Sequence, residues 1–433
     1  MRGVLGLKCV LCGAEYSLRD GSQAFRYVCD HHGDAGILDV IYDYPSIHRT
    51  LTADALRLNP DRSIWRYLPL LPFDPQLVAR LRGDCDAHPL FCVGWTSLYR
   101  ARRLEAVLDL AEVYVKDDGR NPSASFKDRA SAVGIVKALE WGASTIAAAS
   151  TGNAASSLAT LSASVGIKNI IFVPESAPQA KIAQLLIHGA TVLPVQGAYD
   201  QAFDLCLEAC RAFGWYSRNT GYNPYLSEGK KTAALEICEQ LGWRAPDCIL
   251  VSVGDGCIIG GLGKGLRDLR ALDLIDRLPR LIGVQAAGSA ALYDAWQRGS
   301  EQIDPVRAHT LADSISVDMP RDGVKALRAV RETGGAFVTV SDEEILAAMR
   351  VLAREAGVFG EPAGAASYAG LVKARETGLV RVGERVVVLV TGSGLKDVPG
   401  AMKAVQAPMP VAPTLEAVVQ RLQGGTESAC LPS

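Results

Sequence analysis

The sequence has little of what marks a nucleic-acid-binding, membrane or secreted protein. Its formal net charge is -2, so it has no basic field that would concentrate nucleic acid or an acidic membrane surface. No run of about 18 apolar residues could cross a bilayer, and the first residues lack the apolar segment of a signal peptide. We therefore expect a cytoplasmic protein that acts on a small molecule, with no nucleic-acid or membrane partner.

Aromatic residues are also scarce, at 6% of the chain, whereas 42 glycines supply many tight turns. This balance favours an α/β protein over a sandwich of aromatic-rich strands. With 433 residues, the chain is long enough for two or three packed units. Most of its 11 cysteines stand singly inside apolar patterns, so we expect small core residues rather than disulfides at Cys206, Cys210, Cys238 and Cys248.

Apolar runs alternate with amphipathic stretches from about residue 110 onward. The amphipathic stretches predict helices at 128–140, 200–213, 229–241 and 343–356. The apolar runs predict parallel strands that are covered on both faces. These strands are Val113–Lys116, Thr145–Ala149, Asn169–Val173, Thr191–Val195, Cys248–Val253, Leu281–Gln285 and Arg385–Val390. The alternation predicts a doubly wound α/β architecture.

Four polar turns follow apolar strands, and the first of them leads to Lys127. Lys127 comes after a serine-rich loop and just before a predicted helix, whose positive end disfavours the protonated amine. The other turns begin at Thr151, Gly254 and Thr391. Because open α/β sheets bind ligands at the carboxyl ends of their strands, the four turns predict one shared crevice.

Other phosphate chemistries lack a required residue. The glycines at Gly254, Gly256 and Gly260 do not match the dinucleotide fingerprint, and the next strand carries no acidic residue for a ribose. Gly263-Lys264 is followed by Gly265, so the hydroxyl that a P-loop uses to bind Mg²⁺ is missing. Ser393 has no His and Asp in a triad-like context, which argues against a serine hydrolase.

Six ordered motifs from about Gly94 to Asp397 carry a family resemblance: SASFKDR, ASTGNAAS, NPYLSEGKKTAALEI, VGDGCIIGG, EPAGAAS and TGSGLKD. The chain resembles fold-type II pyridoxal-phosphate (PLP) enzymes, a superfamily that includes the tryptophan synthase β subunit, and is most similar to the threonine synthase family. The resemblance implies two doubly wound α/β domains and, because dimers are usual for the fold, a homodimer. We expect a large PLP-binding domain at 46–130 and 219–405, a small mobile domain at 131–218 and a loosely held tail at 406–433.

Carried over residue by residue, the resemblance implies that Lys127 binds PLP as a Schiff base and acts as the catalytic base. It implies that Asn153 contacts the cofactor's phenolic oxygen and that Thr391 contacts its pyridine nitrogen. The implied contacts to the cofactor's phosphate come from the backbone at Gly254, Asp255, Gly256, Cys257, Ile258 and Gly260. The implied contacts to the substrate's carboxylate come from Ser150, Thr151, Gly152 and Asn153.

Residues 1–45 differ from the rest in their short polar strands and clustered cysteines and histidines. Cys9 and Cys12 form a C-x-x-C pair, and Cys29 and His32 form a C-x-x-H pair, each followed by a glycine. This spacing predicts a zinc-ribbon-like module with a structural zinc ion, with His31 as the reserve for His32. The alternative is a ribbon that keeps the shape without the metal.

The resemblance implies a lyase that makes threonine and phosphate from O-phospho-L-homoserine. The alternative is an ammonia-lyase or dehydratase that converts threonine, serine or 2,3-diaminopropionate to a 2-oxo acid; a binding protein without catalysis would lack the visible absorbance of bound PLP. The sequence departs from the family at one position. Threonine synthases commonly carry an arginine two residues after the Asn-Pro of their N-P-x-R-x-E-G motif, and Leu226 stands there.

Overall fold

The computed structural model describes residues 3–18, 25–83, 88–197 and 199–424. Its strands are β1 (Val4–Cys9), β2 (Glu15–Ser17), β3 (Val28–Cys29), β4 (Gly33–Tyr42), β5 (Leu98–Arg100), β6 (Glu112–Asp117), β7 (Thr145–Ala149), β8 (Lys168–Pro174), β9 (Thr191–Val195), β10 (Tyr216–Ser217), β11 (Cys248–Ser252), β12 (Arg280–Ala286), β13 (Ala336–Val340) and β14 (Arg385–Val390).

The α-helices are α1 (Tyr44–His48), α2 (Ala53–Leu58), α3 (Pro75–Arg82), α4 (Arg102–Leu108), α5 (Lys127–Glu140), α6 (Asn153–Val165), α7 (Gln179–Leu186), α8 (Tyr199–Phe213), α9 (Tyr225–Lys230), α10 (Thr232–Gln240), α11 (Cys257–Ala271), α12 (Ala291–Gln297), α13 (Gly323–Glu332), α14 (Asp342–Ala356), α15 (Pro362–Glu376), α16 (Val398–Lys403) and α17 (Leu415–Gly424). Short 3-10 helices lie at Ile64–Leu70, Pro89–Cys92, Asp118–Arg120, Asp313–Ile315 and Gly394–Lys396. In the described part of the chain, no helix combines the length and apolar character needed to cross a bilayer.

The largest sheet has six strands in the order β13-β12-β11-β14-β6-β5. All neighbouring pairs are parallel except β5 and β6, which are antiparallel. Every residue of β11 is buried, as expected for a strand covered on both faces. Because β11, β14 and β6 are adjacent, the turns that follow them meet at one edge of the sheet.

A second, smaller sheet has four parallel strands in the order β10-β7-β8-β9. The two parallel sheets together contain all seven strands predicted from the sequence, and three of them have the predicted bounds: β7, β9 and β14. The sequence patterns did not predict β5, β10 or β13. The first two are only three and two residues long, too short to show a period.

The predicted helices are also present, with one difference in detail. The stretch predicted at 229–241 is covered by two helices, α9 and α10, with only Lys231 between them. Lys231 itself keeps right-handed helical angles, with φ -60° and ψ -25°. The backbone therefore runs nearly continuously through both helices.

The strands β1 to β4, between Val4 and Tyr42, form a four-stranded antiparallel ribbon with the strand order β2-β1-β4-β3. Its apolar side chains, including Leu7 and Leu38, belong to the same core as residues of α5 and α11. Polar contacts support this packing, because Tyr42 donates a hydrogen bond of 2.7 Å to Glu228 of α9 and Lys264 of α11 donates one of 2.7 Å to the Val40 carbonyl. The ribbon is thus fastened to the helices that lie behind the large sheet.

A fully buried ion network fixes the start of α5. Arg129 donates to Asp118 over 2.6 and 3.0 Å and to Glu236 of α10 over 2.6 and 2.8 Å. Lys116 of β6 reaches the same Glu236 over 2.8 Å. Burial alone would raise the pKa of Glu236, but Arg129 and Lys116 together lower it to about 2. The network therefore ties β6, α5 and α10 together two residues beyond Lys127.

Replacing Glu236 with glutamine should be strongly destabilising. The change leaves Arg129 and Lys116 buried with too little negative charge, and breaking a buried ion pair on one side costs about 3–5 kcal/mol. The measurement is the free energy of unfolding in urea. Asp54→Asn is the control, because it removes an ion pair between exposed side chains and should cost less than about 1 kcal/mol. Equal losses for both variants would contradict the proposed importance of the network.

Candidate active site

Lys127 is placed by a tightly bonded loop at the carboxyl edge of the large sheet. The Asp128 carboxylate accepts hydrogen bonds from the Ser123 backbone N–H over 2.6 Å and from the Ser123 hydroxyl over 2.5 Å. The Phe126 N–H donates to the Thr391 carbonyl over 2.8 Å, which joins this loop to the end of β14. Ala124 has φ +60°, a left-handed conformation that costs energy for a residue other than glycine. The loop is therefore held in a strained shape directly before Lys127.

The backbone after β11 forms a second wall of the site. Gly256 has φ +86°, and a Cβ there would lie 2.8 Å from the Cβ of Ala326. A Cβ at Gly254 would lie 3.0 Å from the Ile315 Cα. Helix α11 begins at the next residue, Cys257, and no side chain caps its first amides. These amides and the positive end of the helix form a cradle for an anion such as a phosphate.

One cavity lies where these segments meet. Its lining comes from the end of β11, from the starts of helices α5, α6, α11 and α15, and from the loops beside them. The lining residues are Lys127, Asn153, Thr220, Lys230, Ser252, Val253, Gly254, Asp255, Gly256, Cys257, Ile258, Ile259, Ser314, Ile315, Glu361, Ala363 and Thr391.

Most of the predicted cofactor residues therefore lie together, with one exception. Gly260 is one turn further into α11 and does not line the cavity. A Cβ at Gly260 would lie 3.1 Å from the Cβ of Lys325 in α13, so this glycine allows the two helices to pack closely. Its predicted contact with the cofactor's phosphate has no counterpart in the shape of this cavity.

The predicted carboxylate-binding residues lie at the end of β7 and the start of α6. Gly152 and Asn153 line a second cavity that shares Asn153, Ser314 and Glu361 with the first. Ser150 and Thr151 line neither of these two cavities. The Ser150 hydroxyl instead accepts a hydrogen bond of 3.2 Å from the Gly152 N–H.

Two lysines face the first cavity without a carboxylate partner. Lys127 is enclosed by protein but partly accessible from the cavity, and Lys230 is buried. Within the described ranges, neither amine has an ion pair. Burial lowers the pKa of Lys127, and the charge of Lys230 lowers it further. A lysine amine with a lowered pKa is more often neutral, as a nucleophile or a proton acceptor must be.

Glu361 is a functional candidate that the sequence reasoning missed, although its motif was noticed. It lies directly before α15, and its carboxylate accepts a hydrogen bond of 2.8 Å from the Asn153 amide. Burial raises the pKa of Glu361 to about 7, even though Lys127 and Lys396 oppose the shift. The signal that identifies Glu361 as a candidate is its burial near Lys127 and Lys396. These contacts arise in the fold and are not visible in the sequence.

A separate cluster of possible metal ligands lies in the ribbon. Cys9, Cys12, Cys29 and His32 place their ligand atoms within 4.8 Å of one another. His31 is also near, with Nδ1 3.6 Å from the Cys12 Sγ. Three thiols and an imidazole form a donor set suited to zinc.

The residues around the first cavity fit PLP. Lys127 supplies an enclosed amine with a lowered pKa, and the glycines at 254 and 256 leave room for a phosphate beside the first turn of α11. Thr391 supplies a hydroxyl from the end of β14, on the wall that Lys127 shares. An amine, an anion cradle and a side-chain hydroxyl are what the cofactor's aldehyde, phosphate and ring nitrogen require.

Glu361→Gln should change how stability depends on pH in the cofactor-free protein. Because the pKa of Glu361 rises from 4.5 to about 7 on folding, the contribution of its proton is complete below pH 4.5 and is lost as pH rises to 7. At about 1.4 kcal/mol per unit, wild type should lose about 3 kcal/mol relative to the variant over that interval. The measurement is urea unfolding between pH 4.5 and 8.

Glu376→Gln is the matched control, because Glu376 is exposed at the other end of α15. Its stability should follow that of wild type across the pH range. A Glu361→Gln profile parallel to wild type would show that the buried carboxyl does not hold a proton near neutral pH.

Comparisons with known proteins agree with this site. The sequence profile of the family described as "Pyridoxal-phosphate dependent enzyme" matches residues 90–392. The threonine synthase of Methanocaldococcus jannaschii is 38% identical over 407 residues, covering 93% of this chain and 96% of that protein. The threonine synthase of Methanosarcina acetivorans is 39% identical over 421 residues, covering 96% of this chain and 98% of that protein.

Solved structures share the fold at lower identity. The processed form of threonine deaminase isoform 2 from Solanum lycopersicum has a TM-score of 0.64 at 22% identity and covers 77% of this chain and 94% of its own. Diaminopropionate ammonia lyase from Escherichia coli has a TM-score of 0.63 at 19% identity, with 76% and 91% covered. The fold, the Lys127 cavity and the match along nearly the whole chain lead to one conclusion: the chain belongs to the threonine synthase family of pyridoxal-phosphate dependent enzymes.

Proposed function

We propose that this protein is a threonine synthase, which converts O-phospho-L-homoserine and water to L-threonine and phosphate. The observation that carries the proposal is the similarity to threonine synthases over nearly the whole chain. The ammonia-lyases and deaminases among the solved structures share only the fold at their lower identities. The proposal therefore rests on full-length sequence similarity and on a cavity that fits the cofactor.

We propose the following roles around the cofactor. Lys127 would bind it covalently, and the amides from Gly254 to Ile258 would hold its phosphate. Thr391 would face the ring nitrogen, where a hydroxyl supports protonation less than a carboxylate does. Asn153 would contact the phenolic oxygen, using the amide that now donates to Glu361. Bound PLP supplies an electron sink for the α carbon of an amino acid.

Proton transfer would depend on Lys127 and Glu361. With its lowered pKa, the Lys127 amine would be the acceptor of the substrate's α proton. Glu361, with a pKa of about 7, can hold or release a proton at neutral pH beside it. We assign the substrate's carboxylate to Ser150, Thr151, Gly152 and Asn153, at the start of α6, where the helix dipole favours an anion.

One observation favours a second function. Leu226, at the position where the family carries a phosphate-binding arginine, is buried and apolar. Without that guanidinium, the enzyme could instead be an ammonia-lyase or dehydratase that acts on threonine, serine or 2,3-diaminopropionate. If the protein is a threonine synthase, another cation must bind the substrate's phosphate in place of this arginine.

A substrate panel tests the proposed function. Purified holoenzyme should release equal amounts of phosphate and threonine from O-phospho-L-homoserine, and little 2-oxo acid from threonine, serine or 2,3-diaminopropionate. Lys127→Ala is the negative control. It should lose both turnover and the visible absorbance of lysine-bound cofactor, because alanine has no amine to form the covalent link. A 2-oxo acid and ammonia from one of the other substrates, with no threonine formed, would establish the alternative.

We also propose that the ribbon binds one structural zinc ion through Cys9, Cys12, Cys29 and His32. The support is their mutual distance within 4.8 Å and the donor set itself. Four protein ligands leave no open position for a substrate, so the role would be structural. By resemblance to the family, we further propose a cytoplasmic homodimer with a small mobile domain at 131–218.

The zinc proposal predicts about one zinc ion per chain by elemental analysis. Cys12→Ser should lower the zinc content and make the ribbon more susceptible to proteolysis, while turnover falls little. Cys92→Ser is the control, because Cys92 is an exposed free cysteine outside the ribbon and should leave the metal content unchanged. Metal-free wild-type protein with a protease-resistant ribbon would rule out the zinc ion.

A further inference from the structure

The side chain of Arg218 is a buried cation with an unused hydrogen-bond donor. Arg218 follows β10 directly and is 1% exposed. Its Nε donates to the Ser131 hydroxyl over 3.1 Å, and its Nη1 donates to the Thr220 hydroxyl over 3.2 Å. Its Nη2 is buried and has no acceptor in the described part of the chain. Both of its partners are neutral, so nothing in contact balances its charge.

The other two buried arginines of the described residues have carboxylate partners. Arg129 is paired with Asp118 and Glu236, and Arg66 is paired with Glu239 over 2.6 Å. These pairs satisfy the rule that a buried charge needs an opposite charge beside it. Among the buried arginines of the described ranges, Arg218 alone lacks a carboxylate partner. An unpaired buried guanidinium of this kind is the usual sign of a site for an anion from outside the protein.

The surroundings of Arg218 are electropositive. The charges of Lys230 and Arg218 both lower the pKa of Lys127, and the charge of Arg218 also lowers that of Lys230, in each case after burial as the main cause. The acids nearby do not compensate, because burial raises the pKa of both Glu361 and Asp255 and favours their neutral forms. Apart from Lys127, which is proposed to hold the cofactor, the site therefore contains two basic side chains, Lys230 and Arg218, and neither has an ion pair within the described residues.

The two cations other than Lys127 lie in different places. Lys230 lines the cavity together with Gly254 and Gly256, and it packs on α11, where a Cβ at Gly261 would lie 2.7 Å from the Lys230 Cβ. Arg218 instead lies behind Thr220, which lines the cavity, and against Ser131 of α5. An anion bound at the Thr220 hydroxyl would thus meet the guanidinium directly behind it.

Arg218 also lies next to Leu226. A Cβ at Gly134 would be 2.9 Å from Leu226 Cδ2 and 4.0 Å from Arg218 Cγ, so both side chains pack on the same spot of α5. Leu226 lacks the guanidinium that the family has at this position, but the guanidinium of Arg218, just after β10, lies nearby. Because Gly134 has no side chain, there is room for Leu226 and Arg218 to lie side by side.

We propose that Arg218, together with the hydroxyl of Thr220, binds the phosphate group of a phosphorylated amino-acid substrate. This assignment rests on the proposed function, and it explains how that function is compatible with Leu226. A guanidinium suits this task because its fork of donors matches the oxygens of a phosphate. Lys230 then remains for the phosphate of the cofactor, and each of the two anions has its own cation.

The test compares Arg218→Gln and Arg218→Lys with wild type as holoenzymes. Losing charge-assisted hydrogen bonds should raise the KM for O-phospho-L-homoserine and the inhibition constant of inorganic phosphate by about tenfold or more. Arg218→Lys should recover part of both losses, because it restores the charge without the fork. L-threonine, which has no phosphate, should bind with its affinity changed less than about twofold, as read from the cofactor's absorbance.

Arg211→Gln is the matched control for a change of net charge. Arg211 is an exposed residue of α8 that pairs with Asp34 outside the cavity, so both constants should stay at wild-type values. If Arg218→Gln fails to retain the cofactor's absorbance, Thr220→Val and Arg218→Lys are compared instead, and both should raise the two constants. Wild-type constants in those two variants, or in a folded Arg218→Gln, would overturn the assignment.

The outcomes separate this assignment from the proposed function. If wild-type holoenzyme forms no threonine from O-phospho-L-homoserine, the proposed function fails, whatever the variants do. Binding of inorganic phosphate to PLP-loaded protein, followed by calorimetry, then tests the anion site alone. If threonine is formed but Arg218→Gln changes neither constant, the function stands and the role given to Arg218 is wrong.

Discussion

The geometry of the cavity depends on the buried pairing of Arg129 with Asp118 and Glu236. This network lies two residues beyond Lys127 and joins the end of β6, the start of α5 and helix α10. Strain in the preceding loop, at Ala124, can persist only because the segments on both sides are held. A reactive amine at the first position of a helix needs a fixed position. The ion network fixes the start of the helix, and none of its carboxylates forms an ion pair with the Lys127 amine.

Some buried charged side chains of the described residues have a partner of opposite charge, and others do not. The carboxylates are concentrated on the side of α10 and the ribbon, where Glu228 and Asp268 both pair with Lys231 over 2.6 Å. On the cavity side, Lys127, Lys230 and Arg218 have no such partners among the residues that the structure describes. The roles proposed for Lys230 and Arg218 would account for this difference, since cations that bind phosphates must remain free to do so. A cavity of this kind has a cost in stability that the cofactor and a bound anion would remove by supplying the missing charge.

The strands and turns could be predicted from the sequence, but many of the side-chain contacts between them could not. Long apolar runs identified seven strands, and the motifs placed Lys127, Asn153 and Thr391 in one crevice, because these features are local in the chain. Glu361 was missed because burial raises its pKa, and that burial depends on segments far away in sequence. The resemblance grouped Gly260 with the phosphate-binding backbone, whereas the structure shows only that this glycine allows α11 to pack closely on α13. The lack of a partner at Arg218 depends on contacts that only the folded structure shows.

The segment between β2 and β3 of the ribbon contacts two elements that lead to the cavity. The ring of Phe25 packs against Trp141, which ends α5, with the ring centroids 3.7 Å apart, and it also contacts Tyr216 of β10. The Tyr27 hydroxyl accepts a hydrogen bond of 2.8 Å from the Ser217 N–H, immediately before Arg218, and its ring stacks on Tyr222. The ribbon thus contacts the far end of the helix that begins with Lys127 and the strand β10, which directly precedes Arg218. The packing of Phe25 and Tyr27 therefore contributes to the position of the two elements that carry these cations.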